Sequence, residues 1–246
     1  MKHYSRRFTL VILALAVAAG FPASVAAEEL GAGSETGVGE VEGSINTDVY
    51  EVVLPAVTDE IFDFIIDPHS LLNHTNGAAY EGKTFKENST LFFQRSAGTA
   101  EADYSNVSDP VTITNMSSKA INVSVDISID KSSLGGITLT GDKEFTDDTS
   151  ASIYMALVDG VNEVPIGSDG ISMEALIGAA PEEAYEYRYD SESGEYSYGL
   201  TGDTSGIEFG TYSFQLTGAA NGNGDWSGAM EAKPQIKVVW RIMPGE

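Results

Sequence analysis

The feature that most constrains this chain is a segment in which apolar and polar residues alternate without interruption. From 121 to 130 every odd-numbered residue is Ile or Val, and every even-numbered residue is Asn, Ser or Asp. Successive side chains of a β-strand point to opposite faces of the sheet, so this pattern predicts a strand with one buried and one wetted face. Shorter runs with the same alternation begin at Tyr50, Phe62, Ile153, Tyr212 and Ile236.

Turn-forming dipeptides separate these runs along the chain. Gly-Gly, Asp-Gly, Ser-Gly or Asn-Gly pairs stand at 135–136, 159–160, 169–170, 193–194 and 221–222. No long segment shows the 3.6-residue period of an amphipathic helix. The pattern predicts an all-β protein: an antiparallel β-sandwich or jelly roll of roughly 9–12 strands with one or two short helical turns.

Two segments are candidates for those helical turns. Asp67 can cap a helix and Pro68 suits its first turn, leading into Ser70, Leu71 and Leu72. Residues 172–179 (SMEALIGA) are equally compatible with a second short helix and with a strand.

The N-terminal residues predict export. Residues 1–27 contain Lys2, Arg6 and Arg7, then an apolar run of about ten residues and a small-residue site before Glu28, which is typical of a cleaved signal peptide. Residues 28–43 are rich in Gly and Glu and predict a flexible spacer. We expect residues 44–246 to form a single β-sandwich domain. No second long apolar run follows, so we expect no membrane span.

Charge and cysteine content exclude several kinds of function. Without residues 1–27 the chain would carry 10 Lys and Arg against 37 Asp and Glu, a net charge of −27. Such a charge repels nucleic acid and anionic lipid and favours solubility or weak calcium binding. The sequence contains no Cys, which excludes thiol catalysis, Cys-ligated zinc and iron–sulfur clusters.

No catalytic constellation stands out. After the signal peptide the chain has two histidines, His69 and His74, whose spacing does not match a helical metal site. Serine-type catalysis therefore has almost no candidate base. Carboxylates are abundant, but the sequence marks no pair as a glycosidase acid and nucleophile. We predict that the protein is not an enzyme and needs no cofactor, with structural calcium as the exception.

The calcium prediction concerns the loop Asn221-Gly222-Asn223-Gly224-Asp225. Asn221, Asn223 and Asp225 offer alternating oxygen ligands. An EF-hand needs Gly at the sixth loop position and Glu at the twelfth, where this loop has Trp226 and Ala232. A hydrophilic β-turn explains the same residues, so both interpretations stay open.

The most unusual local composition is a set of tyrosines at period two on both sides of a turn. They are Tyr185, Tyr187, Tyr189, Tyr196 and Tyr198. This spacing predicts a hairpin with one aromatic face. If that face is open, it could stack on sugar rings or meet another subunit, and Trp226 is a further candidate ligand contact. If it is folded down, it covers the core.

Two segments resemble secreted proteins of Firmicutes. The segment 111–115 (VTITN) followed by 121–125 (INVSV) resembles hairpins of WxL cell-wall proteins and, more weakly, of the TasA/camelysin fibre family. The C-terminal KVVWRI is similar to the last strand of WxL domains, with Trp240 and then Ile242 where that family has Leu. The WxL resemblance implies peptidoglycan binding, and the TasA resemblance implies fibre assembly by strand donation.

The leading interpretation is a non-catalytic, secreted or cell-surface protein that associates non-covalently with the cell wall, acting in adhesion. One alternative is a self-assembling subunit of an extracellular fibre or biofilm matrix. Another is a carbohydrate-binding module that uses the tyrosine hairpin. The expected partners are a wall polymer, a carbohydrate, a protein or a second copy of the chain.

Overall fold

A computed structural model describes residues 47–55, 62–96, 102–146 and 148–245. All of these residues belong to one compact unit, residues 44–246. The predicted signal peptide and spacer lie outside the described residues.

The described residues contain fourteen strands. They are β1 (Val52–Val53), β2 (Phe64–Ile66), β3 (Leu91–Gln94), β4 (Tyr104–Ser105), β5 (Val111–Asn115), β6 (Ile121–Ile129), β7 (Thr138–Thr140), β8 (Ser152–Asp159), β9 (Asn162–Pro165), β10 (Ile171–Ile177), β11 (Tyr185–Asp190), β12 (Glu195–Leu200), β13 (Gly210–Ala220) and β14 (Ile236–Pro244). In the same residues, helical structure is limited to α1 (Leu71–His74) and the 3-10 turns Ala78–Tyr80, Lys131–Ser133 and Glu182–Ala184. The all-β prediction is confirmed. The count exceeds the predicted 9–12 because strands such as β1 and β4 span two residues each.

The strands form four sheets. The largest sheet has six strands: five follow the order β1-β5-β13-β8-β7, and the sixth, β9, also pairs with β8. Two three-stranded sheets have the orders β10-β6-β14 and β2-β3-β4, and β11 pairs with β12 as a separate hairpin. Every strand pair among these is antiparallel except β7 with β8.

The core lies between the six-stranded sheet and the sheet built on β6. The five odd-numbered residues of β6 are buried and its even-numbered residues are half-buried, which confirms the predicted orientation of this strand. Residues of β5, β8 and β13 belong to the same hydrophobic cluster as those of β6, β10 and β14. Two sheets that share one core in this way are a β-sandwich.

The sheet β2-β3-β4 is held against β13. Leu91 and Phe93 of β3 enter the common core, while Phe92 is buried on the opposite side of β3 against Phe85, at 5.3 Å between ring centroids. Gly218 permits this approach, because a Cβ there would lie 2.9 Å from the Leu91 side chain. The Thr90 hydroxyl also bridges the backbone N–H and C=O of Ala220, each at 2.8 Å.

Of the two segments that were candidates for helical turns, one contains a helix and the other is mostly strand. The Asp67 carboxylate accepts the backbone N–H groups of Leu71 and Leu72 at 2.9 and 2.8 Å, so it caps α1, although the helix begins four residues later at Leu71. Residues 172–179 are mostly strand, because β10 covers Ile171–Ile177 and pairs with β6 along its whole length.

Candidate functional site

The hairpin β11–β12 is defined by its turn and its register. The turn connects Asp190 to Glu195, and Asp190 supports it by accepting the Glu192 N–H at 2.8 Å. Gly194 donates its N–H to the Asp190 carbonyl at 2.8 Å and has φ 74°, a left-handed conformation that glycine adopts without strain. The register places Tyr187 opposite Tyr198 and Tyr189 opposite Tyr196.

These four tyrosines share one face of the hairpin, which we call the tyrosine platform. The rings of Tyr187 and Tyr198 are 4.7 Å apart, and those of Tyr189 and Tyr196 are 4.8 Å apart. Tyr187, Tyr189 and Tyr196 are 64%, 58% and 66% exposed, whereas Tyr198 is half-buried. The aromatic face is therefore open to solvent over most of its length.

Tyr185 differs from the other tyrosines of the hairpin. Its side chain is buried and its hydroxyl donates to the Met116 carbonyl at 2.6 Å. Burial, together with the neighbouring Tyr198 and Glu51, raises the pKa of Tyr185 to about 12. Its ring lies 5.4 Å from that of Tyr198 at an angle of 21°, so it continues the row of rings toward the body of the domain.

A small hydrophobic cluster anchors the base of the hairpin. Ala180, Ala184 and Tyr185 form its buried part, and Val49, Tyr198, Leu200, Ile207 and Phe209 pack around them. The backbone hydrogen bond from Ala180 to Ser117, at 2.9 Å, ties the segment before β11 to the domain, and the hydrogen bond from Thr201 to Ala184, at 2.8 Å, continues the pairing of β11 with β12 at the base. The hairpin is thus fixed at its base while its aromatic face stays accessible.

A polar pocket of about 150 Å³ adjoins the inner end of the platform. Its lining residues, which come from four separate segments, are Thr47, Ser118, Lys119, Ala180, Glu182, Tyr185 and Tyr198. The Lys119 ammonium lies 3.0 Å from the Asp48 carboxylate, and both side chains are about half exposed. Tyr198 belongs both to this pocket and to the platform.

A second, larger depression lies elsewhere in the domain. This groove has a volume of about 1350 Å³ and runs between β2 and the first half of β14, with residues 224–235 along its side. Within the described residues β14 pairs only with β6, and β2 only with β3, so each presents a free strand edge. Trp226 and Trp240, the two tryptophans of the sequence, both line the groove.

The residues of the predicted WxL-like strand have mainly structural contacts. Trp240 and Ile242 lie opposite Val125 and Val123 of β6 and pack against the common core. Trp226 donates its indole N–H to the Asn221 carbonyl at 2.8 Å.

The predicted calcium ligands form a turn whose polar atoms bond largely to one another and to nearby backbone. Asn221 is buried, donates its amide to the carbonyls of Asp148 and Ser150, and accepts the Asn223 N–H at 3.0 Å. Hydrogen bonds from Ser227 lower the pKa of Asp225. No group of three or more His, Asp or Glu side chains that could hold a metal occurs in the described part of the chain. Calcium binding at Asn221, Asn223 and Asp225 stays a prediction.

Both histidines have exposed side chains. His69 is exposed at the groove, and His74 is the exposed last residue of α1.

Comparisons with known proteins place the chain in no family. No protein-family model matches it, and neither does any curated protein or solved structure. In the residues that the structure describes, no helix has the length and apolar character needed to cross a membrane.

Sequence reasoning identified the tyrosines but not the pocket beside them. Thr47, Lys119 and Glu182 are polar residues far apart in the chain, and no local motif joins them. The groove was missed for the same reason, since its walls are strands more than 150 residues apart in sequence, β2 and β14.

Proposed function

We propose that this protein is a non-catalytic cell-surface protein that associates with the cell wall by binding its glycan strands on the tyrosine platform. The observation that carries the proposal is the open row of cross-strand tyrosine rings on a hairpin that is fixed at its base. An exposed aromatic patch of this kind is typical of an interaction surface rather than of core packing.

The chemistry of tyrosine suits a sugar ligand. The ring offers an apolar face to the C–H groups of a sugar ring, while the phenolic hydroxyl can hydrogen-bond to the sugar hydroxyls. Each side chain has two χ angles, so little conformational entropy is lost on binding. The net charge of −24 also favours an uncharged sugar backbone over a polyanion, because like charges repel.

Co-sedimentation of the purified protein with peptidoglycan sacculi tests this proposal, with and without calcium and with a wall-free control. We expect the wild type to pellet with sacculi and the triple variant Tyr187→Ala, Tyr189→Ala, Tyr196→Ala to stay in the supernatant. Ser197→Ala, an exposed residue between Tyr196 and Tyr198 on the opposite face of β12, is the matched control and should pellet like the wild type. Equal pelleting of the triple variant would overturn the proposal.

A second candidate function is self-assembly by strand addition, and the groove between β2 and β14 supports it. The groove combines two strand edges that have no second partner in the described residues with an apolar lining that includes Phe64, Val238 and Trp240. An extended segment of a second copy could supply backbone hydrogen bonds to either edge and apolar side chains to the lining.

The wall-free control distinguishes this candidate from wall binding. Self-assembly predicts that the protein pellets without sacculi and that Met230→Glu, on an exposed residue of the groove lining, prevents it. Val161→Glu, which is also on an exposed apolar residue but lies in the β8–β9 turn, is the control. A protein that stays in solution without sacculi at high concentration would exclude this candidate.

A further inference from the structure

The polar pocket lies where the row of tyrosine rings meets the body of the domain. Tyr198 joins the two features, since its ring is 4.7 Å from Tyr187 on the platform and 5.4 Å from Tyr185 in the pocket. The row from Tyr185 to Tyr189 extends about 13 Å at roughly 3.3 Å per strand residue. A chain-like ligand that follows the row inward therefore ends at the pocket.

The polar groups of the pocket divide into those that shape it and those that can bind a ligand. The Ser118 hydroxyl is occupied, because it donates to the Thr47 carbonyl and accepts the Val49 N–H, both at 2.8 Å. The backbone carbonyl of Glu182 accepts the Tyr185 N–H, but its exposed carboxylate has no hydrogen-bond partner within the described residues and offers an acceptor. Lys119 uses one of its three ammonium hydrogens on Asp48, which leaves donors for a ligand.

The size of the pocket limits what these groups can hold. Pockets that enclose drug-sized ligands measure about 300–1,000 Å³. The pocket beside the platform has a volume of about 150 Å³, which suits one sugar ring and not a longer segment of glycan. A sugar hydroxyl can donate to Glu182 and accept from Lys119, while the rings of Tyr185 and Tyr198 contact its apolar face.

We infer that the pocket holds the terminal residue of a glycan whose following residues lie along the tyrosine platform. The protein then recognises the ends of glycan chains rather than their interior. This inference rests on the proposed function, since it requires that the platform binds glycan. Lys119 and Glu182 are the residues that select the chain end, and the platform supplies most of the contact area.

Isothermal titration with soluble N-acetylglucosamine oligomers, from the dimer to the hexamer, tests the inference. Affinity should rise with length until the oligomer covers the row of rings and then stay constant. Glu182→Gln and Lys119→Gln should each weaken binding roughly tenfold, because each removes a charge-assisted hydrogen bond. Glu183→Gln, on the adjacent exposed carboxylate, and Lys131→Gln, which is paired with Asp169 elsewhere, should bind like the wild type.

A competition experiment tests end recognition without a variant. At equal sugar mass, short oligomers should displace a labelled tetramer better than glycol chitin, a long soluble chain of related sugar, because they carry more ends. Equal competition by mass would overturn the inference.

The outcomes separate the inference from the function on which it rests. If the platform variant Tyr189→Ala, Tyr196→Ala loses binding while both pocket variants bind normally, the inference is wrong and glycan binding stands. If sacculi bind but the oligomers do not, recognition of a terminal residue is also wrong. If neither sacculi nor oligomers bind the wild type, the inference and the proposed function both fail.

Discussion

In strand β6 and in the hairpin β11–β12 the same kind of side chain recurs at every second residue. The face that carries these side chains is buried in β6 and exposed in most of the hairpin. The odd-numbered residues of β6 are buried between two sheets. The odd-numbered residues of β11 after Tyr185 are exposed, although their tyrosine side chains are larger than the Ile and Val side chains of β6. Period two therefore determines which residues share a face, whereas burial of that face depends on a second sheet that packs against it.

The hairpin shows what holds a strand pair without such a sheet. A two-stranded hairpin is marginally stable in water, and cross-strand aromatic pairs contribute roughly 0.2–1 kcal/mol each. The cluster of Ala180, Ala184 and Tyr185 supplies the remaining attachment at the base. The exposed rings thus stabilise the hairpin locally while they remain available to a ligand.

The largest expected effect comes from the buried side of this comparison. Phe214 of β13 is fully buried in the common core, so Phe214→Ala should lower the free energy of unfolding by about 3–5 kcal/mol. Tyr189→Ala on the platform should lower it by less than about 1 kcal/mol. Urea denaturation measures both, and equal losses would contradict the distinction between the two faces.

The next effect concerns the connection between the end of β5 and the end of β10, where the chain leaves the sandwich and continues toward the hairpin. Asn115 is fully buried, and its amide donates to the carbonyls of Lys119, Ile177 and Gly178. Asn115→Ala leaves these acceptors and the Ser117 N–H without their partner, which should cost about 2–3 kcal/mol. Denaturant unfolding of the variant measures this loss, and a change below about 0.5 kcal/mol would show that the connection is held by other contacts.

A smaller effect tests whether the platform is energetically separate from the core. In the triple variant Tyr187→Ala, Tyr189→Ala, Tyr196→Ala the amides of β12 should exchange with solvent faster, because local opening of the hairpin costs less. The amides of β6 should keep their protection. Hydrogen exchange measures both strands in one sample, and loss of protection in β6 would mean that the platform supports the core.

The smallest effect involves Asp103, which precedes β4 and lies neither in β6 nor in the hairpin. Hydrogen bonds from the backbone and side chain of Thr84, and from Lys83, lower the pKa of Asp103 from 3.8 to about 2. A carboxyl whose pKa is depressed in the folded state stabilises the fold above about pH 4, and this contribution is lost as the pH falls through about 2. Asp103→Asn should therefore be less stable than the wild type at neutral pH and should lose less stability between pH 4 and pH 2.

Thermal unfolding at a series of pH values measures this difference. The wild type and Asp103→Asn should have converging melting temperatures as the pH approaches 2. Parallel curves would show that Asp103 does not contribute to the acid sensitivity.

Local patterns predicted local structure well in this chain. The alternation in 121–129 predicted β6, and Asp67 was correctly predicted to cap a helix because capping depends on neighbours within a few residues. The alternation in 236–242 also predicted which face of β14 packs on the core. The SMEALIGA segment stayed ambiguous because its strand character depends on pairing with β6, about 50 residues earlier.

Features that depend on distant pairing could not be predicted in this way. β6 lies between β10 and β14, and the pocket brings Thr47, Lys119 and Glu182 together from three parts of the chain. The exposure of the tyrosine face could not be predicted either, because the residues in 185–198 do not determine whether another sheet packs against it.

The proposed function requires the tyrosine face to be an open glycan-binding platform and not a cover for the core. The most direct measurement is an NMR titration of the purified protein, with its tyrosine rings isotopically labelled, against soluble glycan fragments released from sacculi. We predict saturable shifts in the ring signals of Tyr187, Tyr189, Tyr196 and Tyr198, and none in that of Tyr212, which is buried on β13. Unchanged signals from the four platform rings at saturating glycan would show that the platform does not bind glycan.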